Sequence, residues 1–315
     1  MIENLQAGLV SELTAWFGRA ARLESAPTRL GGGHSSDSYR VVAAETPDGI
    51  PKRLVLRIMR DDKAAALECA VQAAVAASGF PAPRVFRTGD SASAFGRPFA
   101  IMAFVEGRDP AAAGLVRRLP QILAQTMFDL HAVRAGRIRA TIEKDADDLD
   151  VRSLLETLRR STRPEIARAA QWFDNELVAG ERVLCHGDLH ARNILMHDGR
   201  LAALLDWEVA VFGPREYDVA RTELLLLLMP GVGAPHLRPL VRLLGRRAAP
   251  QFVRAYGARA ALDLSTLDRC RALHALRLVA LIRTEGVAAD RVRALWRPFE
   301  RELVRRWESL SGAPL

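Results

Sequence analysis

The chain of 315 residues is 49% hydrophobic, which makes it long enough for two packed units and too apolar for global disorder. Its formal net charge of +8 is compatible with a nucleic-acid partner. However, all its basic residues except Lys52, Lys63 and Lys144 are Arg, and they alternate with Asp and Glu along predicted helices. Such an Arg bias is more simply compositional, so we expect no nucleic-acid partner.

The cysteines, the amino terminus and the longest apolar run indicate the compartment of the protein and whether it associates with a membrane. The cysteines Cys69, Cys185 and Cys270 are too few and too irregularly spaced for a disulfide framework, so we expect a reducing compartment. The amino terminus lacks the basic region of a signal peptide, and the most apolar run, Leu224–Met229, is much shorter than a membrane span. We therefore expect a cytoplasmic protein without a membrane partner; the sequence leaves its oligomeric state open.

The amino-terminal third has the pattern of a small sheet with one crossing helix. Helical periodicity predicts a first helix over residues 5–22, and a glycine-rich loop over 31–38 precedes the first strand. Strands are predicted over Tyr39–Ala44, Arg53–Met59, Arg84–Arg87 and Pro98–Val105, and an Ala-rich helix over 63–78.

Beyond residue 107 the pattern is mainly helical. The predicted helices span residues 113–135, 147–160, 163–179, 216–229, 237–256, 264–285 and 288–310. A linker near Val105–Pro110 divides a predicted amino-terminal domain, residues 1–106, from a predicted carboxy-terminal domain, residues 107–315. The expected fold class is therefore α+β, with two lobes.

Residues 183–208, VLCHGDLHARNILMHDGRLAALLDWE, interrupt these helices. Asp188 is followed after five residues by Asn193 and after eighteen by Asp206, with an apolar–turn–apolar hairpin pattern between the last two. Phosphoryl transfer requires a carboxylate that accepts the proton of a hydroxyl, and oxygen ligands for Mg²⁺. The spacing favours Asp188 as the base and Asn193 and Asp206 as Mg²⁺ ligands. We assign His186 a structural role in the loop.

Three motifs resemble those of the aminoglycoside phosphotransferase / choline kinase-like family: His186-Gly187-Asp188-Leu189-His190-x-x-Asn193, Leu205-Asp206-Trp207-Glu208 and Gly213-Pro214-x-x-Tyr217-Asp218. Residues 99–107 are similar to the interlobe hinge of that family, and Leu130-His131-Ala132 to the end of its first large-lobe helix. The resemblance extends from about residue 25 to about residue 300. It implies a protein-kinase-like two-lobe fold, with a small antiparallel-sheet amino-terminal lobe that contains one crossing helix and a larger, mainly helical carboxy-terminal lobe.

The same resemblance implies a site for ATP or GTP as the phosphate donor. Its residues would be Ser35 and Ser36 at the phosphates, Arg57 at the position of the family's phosphate-contacting Lys, Glu68 as the ion-pair partner of Arg57, and Ala103 and Val105 at the adenine, with Met102 gating the pocket. Arg at position 57 departs from the common Lys, and its planar fork binds oxygens bidentately where Lys acts as a point charge.

Other residues of the motif region have competing interpretations. Cys185, His186, His190 and His197 could suggest zinc, but their spacing fits no standard ligand set, and Cys185 on an apolar strand is expected in the core. Glu208 either faces the acceptor or pairs with a neighbouring Arg. Asp218 is a candidate for a structural or a substrate-binding role.

The sequence thus predicts a small-molecule kinase, an ATP- or GTP-dependent O-phosphotransferase acting on a hydroxyl of an aminoglycoside-like compound, another antibiotic, a sugar or an amino alcohol. The alternative is a catalytically inactive kinase-like nucleotide-binding module, against which the presence of Asp188, Asn193 and Asp206 argues. A protein kinase is disfavoured because no Ala-Pro-Glu element follows Asp206. The acidic residues available to a polycationic acceptor are Glu208, Glu216, Asp218, Glu223, Asp263, Asp268 and Glu285.

Overall fold

The chain forms two compact units in the computed structural model, which describes residues 2–31, 36–142, 149–173, 177, 181–228, 238–284 and 290–315. The first unit comprises Met1–Asp109 and Ile194–Glu208. The second comprises Pro110–Asn193 and Val209–Leu315.

Nine strands and eleven helices occur among the described residues. In chain order, the strands are β1 (Thr28–Arg29), β2 (Asp37–Val42), β3 (Arg53–Ile58), β4 (Val85–Gly89), β5 (Phe99–Ala103), β6 (Val183–Cys185), β7 (Ile194–His197), β8 (Arg200–Leu204) and β9 (Val211–Gly213). The helices are α1 (Ile2–Phe17), α2 (Asp62–Ala77), α3 (Leu119–His131), α4 (Ala135–Ile142), α5 (Val151–Arg159), α6 (Pro164–Ala170), α7 (Arg215–Leu228), α8 (Arg238–Gly257), α9 (Leu264–Arg283), α10 (Asp290–Trp296) and α11 (Glu300–Ser311).

The first unit is built on a five-stranded antiparallel sheet in the order β1-β2-β3-β5-β4. Leu54 and Leu56 of β3 are fully buried and pack with Leu9 and Leu13 of α1. Burying each of these Leu side chains contributes about 1.5–3 kcal/mol of hydrophobic free energy. Helix α2 begins after Asp61, whose carboxylate accepts a hydrogen bond from the Ala64 amide at 2.8 Å.

The β7–β8 hairpin belongs to this first unit, although it follows the predicted domain boundary in the chain. Its turn uses Asp198 and Gly199, both at positive φ, which suits a two-residue hairpin connection. Met196 exchanges backbone hydrogen bonds of 2.8 and 2.9 Å with Arg108, and the Leu204 amide donates to the Pro81 carbonyl at 2.9 Å. These bonds join both strands of the hairpin to the rest of the first unit: β7 to the segment after β5, and β8 to the segment between α2 and β4.

The second unit is mainly helical. Helix α7 packs against α8 and α9, α8 packs against α3, and α9 packs against α11. The short strands β6 and β9 pair antiparallel, with Leu184 opposite Phe212. The described residues therefore combine an antiparallel amino-terminal sheet with a helical carboxy-terminal part, which confirms the predicted α+β class.

Several element ends differ from the prediction for local reasons. Helix α1 ends at Phe17, ahead of the predicted residue 22, because Gly18 adopts a φ of +66° and its amide closes the last turn on the Thr14 carbonyl. Residues 288 and 289 of the predicted helix 288–310 lie outside the described residues; the remainder is divided by a 3₁₀ turn at Arg297–Phe299, where Pro298 cannot continue the α-helical hydrogen bonds. Helix α4 was not predicted as a separate element. No helix among the described residues combines the length and apolarity that crossing a membrane requires.

Candidate active site

Arg57 is the centre of a polar network in the first unit. It lies on β3, and each nitrogen of its guanidinium group has a partner. Nε donates to the Ser36 hydroxyl at 2.9 Å, Nη1 pairs with Glu68 of α2 at 2.7 Å, and Nη2 pairs with Asp206 at 2.8 Å. The structure therefore brings together four of the residues predicted to form the nucleotide and metal sites. Ser35, predicted to act beside Ser36, lies outside the described residues.

This network is largely shielded from solvent. The Arg57 and Glu68 side chains are only 10% and 6% exposed. Burial alone would lower the pKa of Arg57, but the charges of Glu68 and Asp206 hold it above its ordinary value, so the guanidinium group is always charged. Burial raises the pKa of Glu68 to about 7, against the opposing effect of Arg57. Losing one partner of a buried pair costs about 3–5 kcal/mol, so Arg57 and Glu68 depend on each other.

Asp206 combines a strained backbone with an available oxygen. Its φ of +68° lies in the left-handed region, which non-glycine residues rarely adopt. Its side chain is 35% exposed; Oδ1 binds Arg57, and Oδ2 has no hydrogen-bond partner among the described residues. Such strain commonly marks functional positions.

The segment predicted to contact adenine continues from β5. The Ala103 amide donates to the Arg84 carbonyl at 2.8 Å, so only its carbonyl can serve a ligand. Within the described chain the Val105 amide has no acceptor. Met102, the predicted gating residue, is buried, and its sulfur lies 3.5 Å from the Gln72 amide nitrogen. The segment thus offers one carbonyl and one N–H group, two residues apart.

In the second unit, helix α7 holds the loop that contains Asp188. Asp218 accepts hydrogen bonds of 2.8 Å from the amides of His186 and Gly187. One turn later Thr222 donates to the Leu189 carbonyl at 3.1 Å. Since residues i and i+4 lie on one face of a helix, this face holds the loop backbone at three residues, 186, 187 and 189.

Gly187 meets a steric requirement of this loop. Its φ is +76°, and a Cβ at this position would lie 2.3 Å from the Val209 carbonyl oxygen. A side chain is excluded by that distance, and the left-handed conformation disfavours one as well. The glycine beside the proposed base is therefore required by the backbone.

Asp188 presents an ionised carboxylate. Its side chain is 27% exposed; Oδ1 accepts from Arg221 at 2.9 Å, and Oδ2 lies 3.4 Å from His190 Nε2. Burial would raise the pKa of Asp188, but the hydrogen bond from His190 and the charge of Arg221 hold it well below its usual value. The His186 ring, which is fully buried, accepts a hydrogen bond from the Asp188 amide at 3.3 Å; its structural role stays a prediction.

Asn193 is oriented by the same loop. Its Nδ2 donates to the Asp188 carbonyl at 2.9 Å, which assigns the amide and leaves Oδ1 as its free acceptor. Oδ1 has no partner among the described residues. Asn193 therefore presents the hard oxygen that its predicted metal role needs.

Asp218 also anchors a buried cluster that the sequence analysis did not identify. His131 Nε2 lies 3.2 Å from its carboxylate, and His131 Nδ1 lies 2.7 Å from the Tyr256 hydroxyl. His131, Cys185 and Asp218 have ligand atoms within 4.8 Å of one another. Burial raises the pKa of the Cys185 thiol well above its usual value, and Asp218 already accepts two backbone N–H groups, so the cluster is a hydrogen-bonded core. His131 and Asp218 belong to separate motifs of the sequence, and nothing in either motif indicates that the two residues meet each other or Tyr256.

The structure bears on the roles that the sequence left open for Asp218 and Glu208. Asp218 is fully buried, which supports the structural alternative. Glu208 is exposed and forms no ion pair within the described ranges, although its charge is among those that raise the pKa of Arg57. Arg221, which contacts the proposed base directly, was missed because one Arg among many on an amphipathic helix carries no sequence signal.

Comparisons with known proteins identify the family and the fold. The family whose description is "Phosphotransferase enzyme family" matches residues 27–273. A thermostable mutant of aminoglycoside phosphotransferase APH(4)-Ia, in a ternary complex with ADP and hygromycin B, is 16% identical with a TM-score of 0.58, and the alignment covers 98% of this chain and 100% of that one. Macrolide 2'-phosphotransferase MphH from Brachybacterium faecium is 20% identical with a TM-score of 0.53, covering 92% and 98%. APH(2")-IIia in its GDP and kanamycin complex is 17% identical with a TM-score of 0.55, covering 96% of this chain and 98% of that one.

At these identities the similar structures establish the protein-kinase-like fold, as predicted. The family is established by the match over residues 27–273: the chain belongs to the phosphotransferase enzyme family.

Proposed function

We propose that this protein transfers the γ-phosphate of ATP or GTP to a hydroxyl group of a small molecule, with Asp188 as the general base. The observation that carries the proposal is the placement of the Asp188 carboxylate. It is partly exposed, it is paired with Arg221, and it is fixed on a loop that helix α7 holds by its backbone. These surroundings lower its pKa and favour the ionised form. A carboxylate in this state can accept a proton from a hydroxyl within hydrogen-bond reach.

The reaction transfers the γ-phosphoryl group from the nucleotide to the acceptor oxygen. The acceptor oxygen forms a bond to the γ-phosphorus while the bond between that phosphorus and the β–γ bridging oxygen breaks. The proton of the acceptor hydroxyl passes to the Asp188 carboxylate, and the nucleoside diphosphate leaves. Because the chemistry asks for little covalent participation by the protein, positioning and charge stabilisation provide most of the catalysis.

The donor atoms of two residues suit Mg²⁺. Asn193 Oδ1 and Asp206 Oδ2 are hard oxygens without partners among the described residues. We therefore propose Asn193 and Asp206 as the Mg²⁺ ligands. When bound, Mg²⁺ would neutralise charge on the phosphate oxygens of the nucleotide.

The nucleotide site is proposed for the first unit. Support comes from the related structures with ADP and with GDP, and from the Arg57 network at Ser36, Glu68 and Asp206. The Ala103 carbonyl and the Val105 amide would bind the base. We infer from this division that residues 1–106 form the nucleotide-binding domain, together with the hairpin at 194–208, and that the helical unit binds the acceptor.

A transfer assay with γ-labelled ATP and GTP tests the proposal. The protein is incubated with Mg²⁺ and a panel of hydroxylated metabolites and antibiotics, and labelled products are separated. We expect label on at least one acceptor, and transfer that stops when Mg²⁺ is chelated. Nucleotide binding without transfer to any acceptor would instead support the inactive nucleotide-binding module.

A further inference from the structure

The helices of the second unit carry most of the positive charge of the chain. Residues 209–315 contain 18 Arg, no Lys and 10 Asp or Glu, a formal net charge of +8. A polycationic acceptor such as an aminoglycoside needs unpaired carboxylates to bind its ammonium groups, and it is repelled by a field of this sign. The charge balance therefore bears on which acceptors the enzyme takes.

Of the seven acidic residues that the sequence offers a polycation, the five in the described part of this unit already have hydrogen-bond partners. Glu208, in the first unit, is exposed and forms no ion pair within the described ranges. Glu223 forms two hydrogen bonds with Arg271, at 2.6 and 2.8 Å, and Asp268 binds the same guanidinium group at 2.7 Å. Glu216 is buried and accepts from the Asp263 amide at 3.0 Å, while the Asp263 carboxylate accepts from the Thr266 amide at 2.6 Å. Asp218 is fully buried, and its carboxylate accepts hydrogen bonds from the amides of the catalytic loop. Glu285 lies outside the described residues.

The guanidinium group of Arg221, beside the proposed base, has one nitrogen that can still donate a hydrogen bond. Arg221 uses Nη2 for Asp188 at 2.9 Å and Nε for the Gly187 carbonyl at 3.2 Å. Its Nη1 has no partner among the described residues, and its side chain is 11% exposed. The buried Trp296 ring lies against the group, 5.2 Å from ring centre to guanidinium carbon, and holds its plane.

A second guanidinium group lies in the same neighbourhood. Arg277 donates from Nη1 to the Tyr217 hydroxyl at 2.9 Å, and the charges of Arg221 and Arg277 both act to lower the pKa of the buried His274. Planar guanidinium groups bind carboxylate and phosphate oxygens in fixed geometry. The surroundings of Asp188 in this unit thus favour a negatively charged ligand.

We propose that the acceptor carries an oxyanion, a carboxylate or a phosphate group, and that Arg221 binds it beside Asp188. This inference rests on the proposed phosphotransfer and goes beyond it by naming the charge class of the acceptor and the residue that selects it. Arg221 is then a specificity-determining residue that contacts the base on one side and the acceptor on the other.

The test uses sets of acceptors that differ only in charge. One set is glycerol, glycerate, glycerol 3-phosphate and 3-amino-1,2-propanediol; another is glucose, glucuronate, glucose 6-phosphate and glucosamine. Values of kcat/KM are measured with γ-labelled ATP and GTP. We expect an anionic member to exceed the neutral one by at least about tenfold, the worth of one charge-assisted hydrogen bond, and the cationic member to be the slowest. The better of the carboxylate and the phosphate identifies the anion.

Variants then assign the preference to Arg221. In Arg221→Gln we expect the ratio of anionic to neutral kcat/KM to fall by about tenfold, and Arg221→Lys should retain part of it. Because both acceptors use the same base, this ratio cancels any damage to Asp188. Arg301→Gln, which removes the same charge from an exposed position on α11, should leave the ratio unchanged.

The outcomes separate the inference from the function beneath it. Transfer that prefers the neutral or cationic members overturns the inference while the phosphotransfer stands. An unchanged ratio in Arg221→Gln, with kcat reduced for both acceptors, also overturns it and leaves Arg221 as a residue that only positions the base. Absence of transfer to these acceptors, while an uncharged or cationic member of the wider panel is phosphorylated, overturns the inference alone. Absence of transfer to every compound in both assays contradicts the proposed function itself, and the inference then fails with it.

Discussion

At the scale of single residues, the backbone conformation distinguishes two residues of the catalytic motifs, Gly187 and Asp206. Gly187 and Asp206 both adopt positive φ, but for different reasons. Gly187 must approach Val209, whereas Asp206 keeps a side chain in a conformation that disfavours one. Motif spacing identified both positions, yet it gave no indication of the left-handed backbone.

Gly187→Ala should destabilise the protein much more than Gly199→Ala. Both glycines have nearly equal φ, +76° and +74°, so the replacements share a strain of about 1–2 kcal/mol. At Gly187 a Cβ also meets the Val209 carbonyl oxygen at 2.3 Å, whereas at Gly199 nothing lies within 4 Å. Urea unfolding measures the difference. Equal losses of unfolding free energy in the two variants would show that the close approach does not matter.

At the scale of elements, helix α7 organises the catalytic loop. Asp218, Arg221 and Thr222 lie on one helical face and together contact four consecutive residues, 186–189. The sequence predicted the helix, the hairpin and the Asp188–Asn193 loop, because each depends on local periodicity or turn chemistry. It did not predict that the helix would hold the loop, because pairs such as His186 and Asp218 are 32 residues apart and depend on tertiary packing.

Asp218→Asn should weaken this attachment. The two carboxylate oxygens of Asp218 accept hydrogen bonds from two backbone N–H groups, those of His186 and Gly187. An Asn side chain has one oxygen and one NH₂ group, so one of these N–H groups would face another donor and lose its acceptor. Each buried unsatisfied group costs about 1–3 kcal/mol. We expect a loss in that range by urea unfolding and a lower kcat. Asp268→Asn is the control, since its side chain is 54% exposed and its pair with Arg271 should contribute less than about 1 kcal/mol. If both replacements cost the same, the attachment is not what stabilises the loop.

At the scale of the whole molecule, two buried groups, His274 and Glu68, make stability respond to pH in opposite directions. Burial lowers the pKa of His274 to about 3, helped by the charges of Arg221 and Arg277 and opposed by the Tyr217 carbonyl and Asp218. The stability that neutral His274 provides is complete above its unfolded pKa of about 6.5 and is lost as the pH falls toward 3. Glu68 acts in the opposite sense, because its pKa is raised to about 7 and its contribution is lost as the pH rises through that value.

His274→Gln isolates one side of this balance. In the wild-type protein, protonation of unfolded His274 should remove about 2 kcal/mol of unfolding free energy between pH 7 and pH 5. Glu68 offsets part of this loss, so only the difference between proteins is diagnostic. We expect the change from pH 7 to pH 5, measured by urea unfolding, to be less destabilising in the variant by about that amount. Parallel pH profiles would mean that His274 is protonated in the folded state.

The most direct measurement compares Asp188→Asn with the wild-type protein in two assays on the same preparation. The replacement keeps the size of the side chain and removes the carboxylate that accepts the hydroxyl proton. We predict that kcat for phosphate transfer falls by about 10²–10⁴-fold, the usual contribution of a general base, while the affinity for ATP or GTP, measured by calorimetry, is unchanged. Asp129→Asn, at an exposed position on α3 outside the loop, should match the wild type in both assays. A full rate of transfer in Asp188→Asn would contradict the assignment of Asp188 as the base.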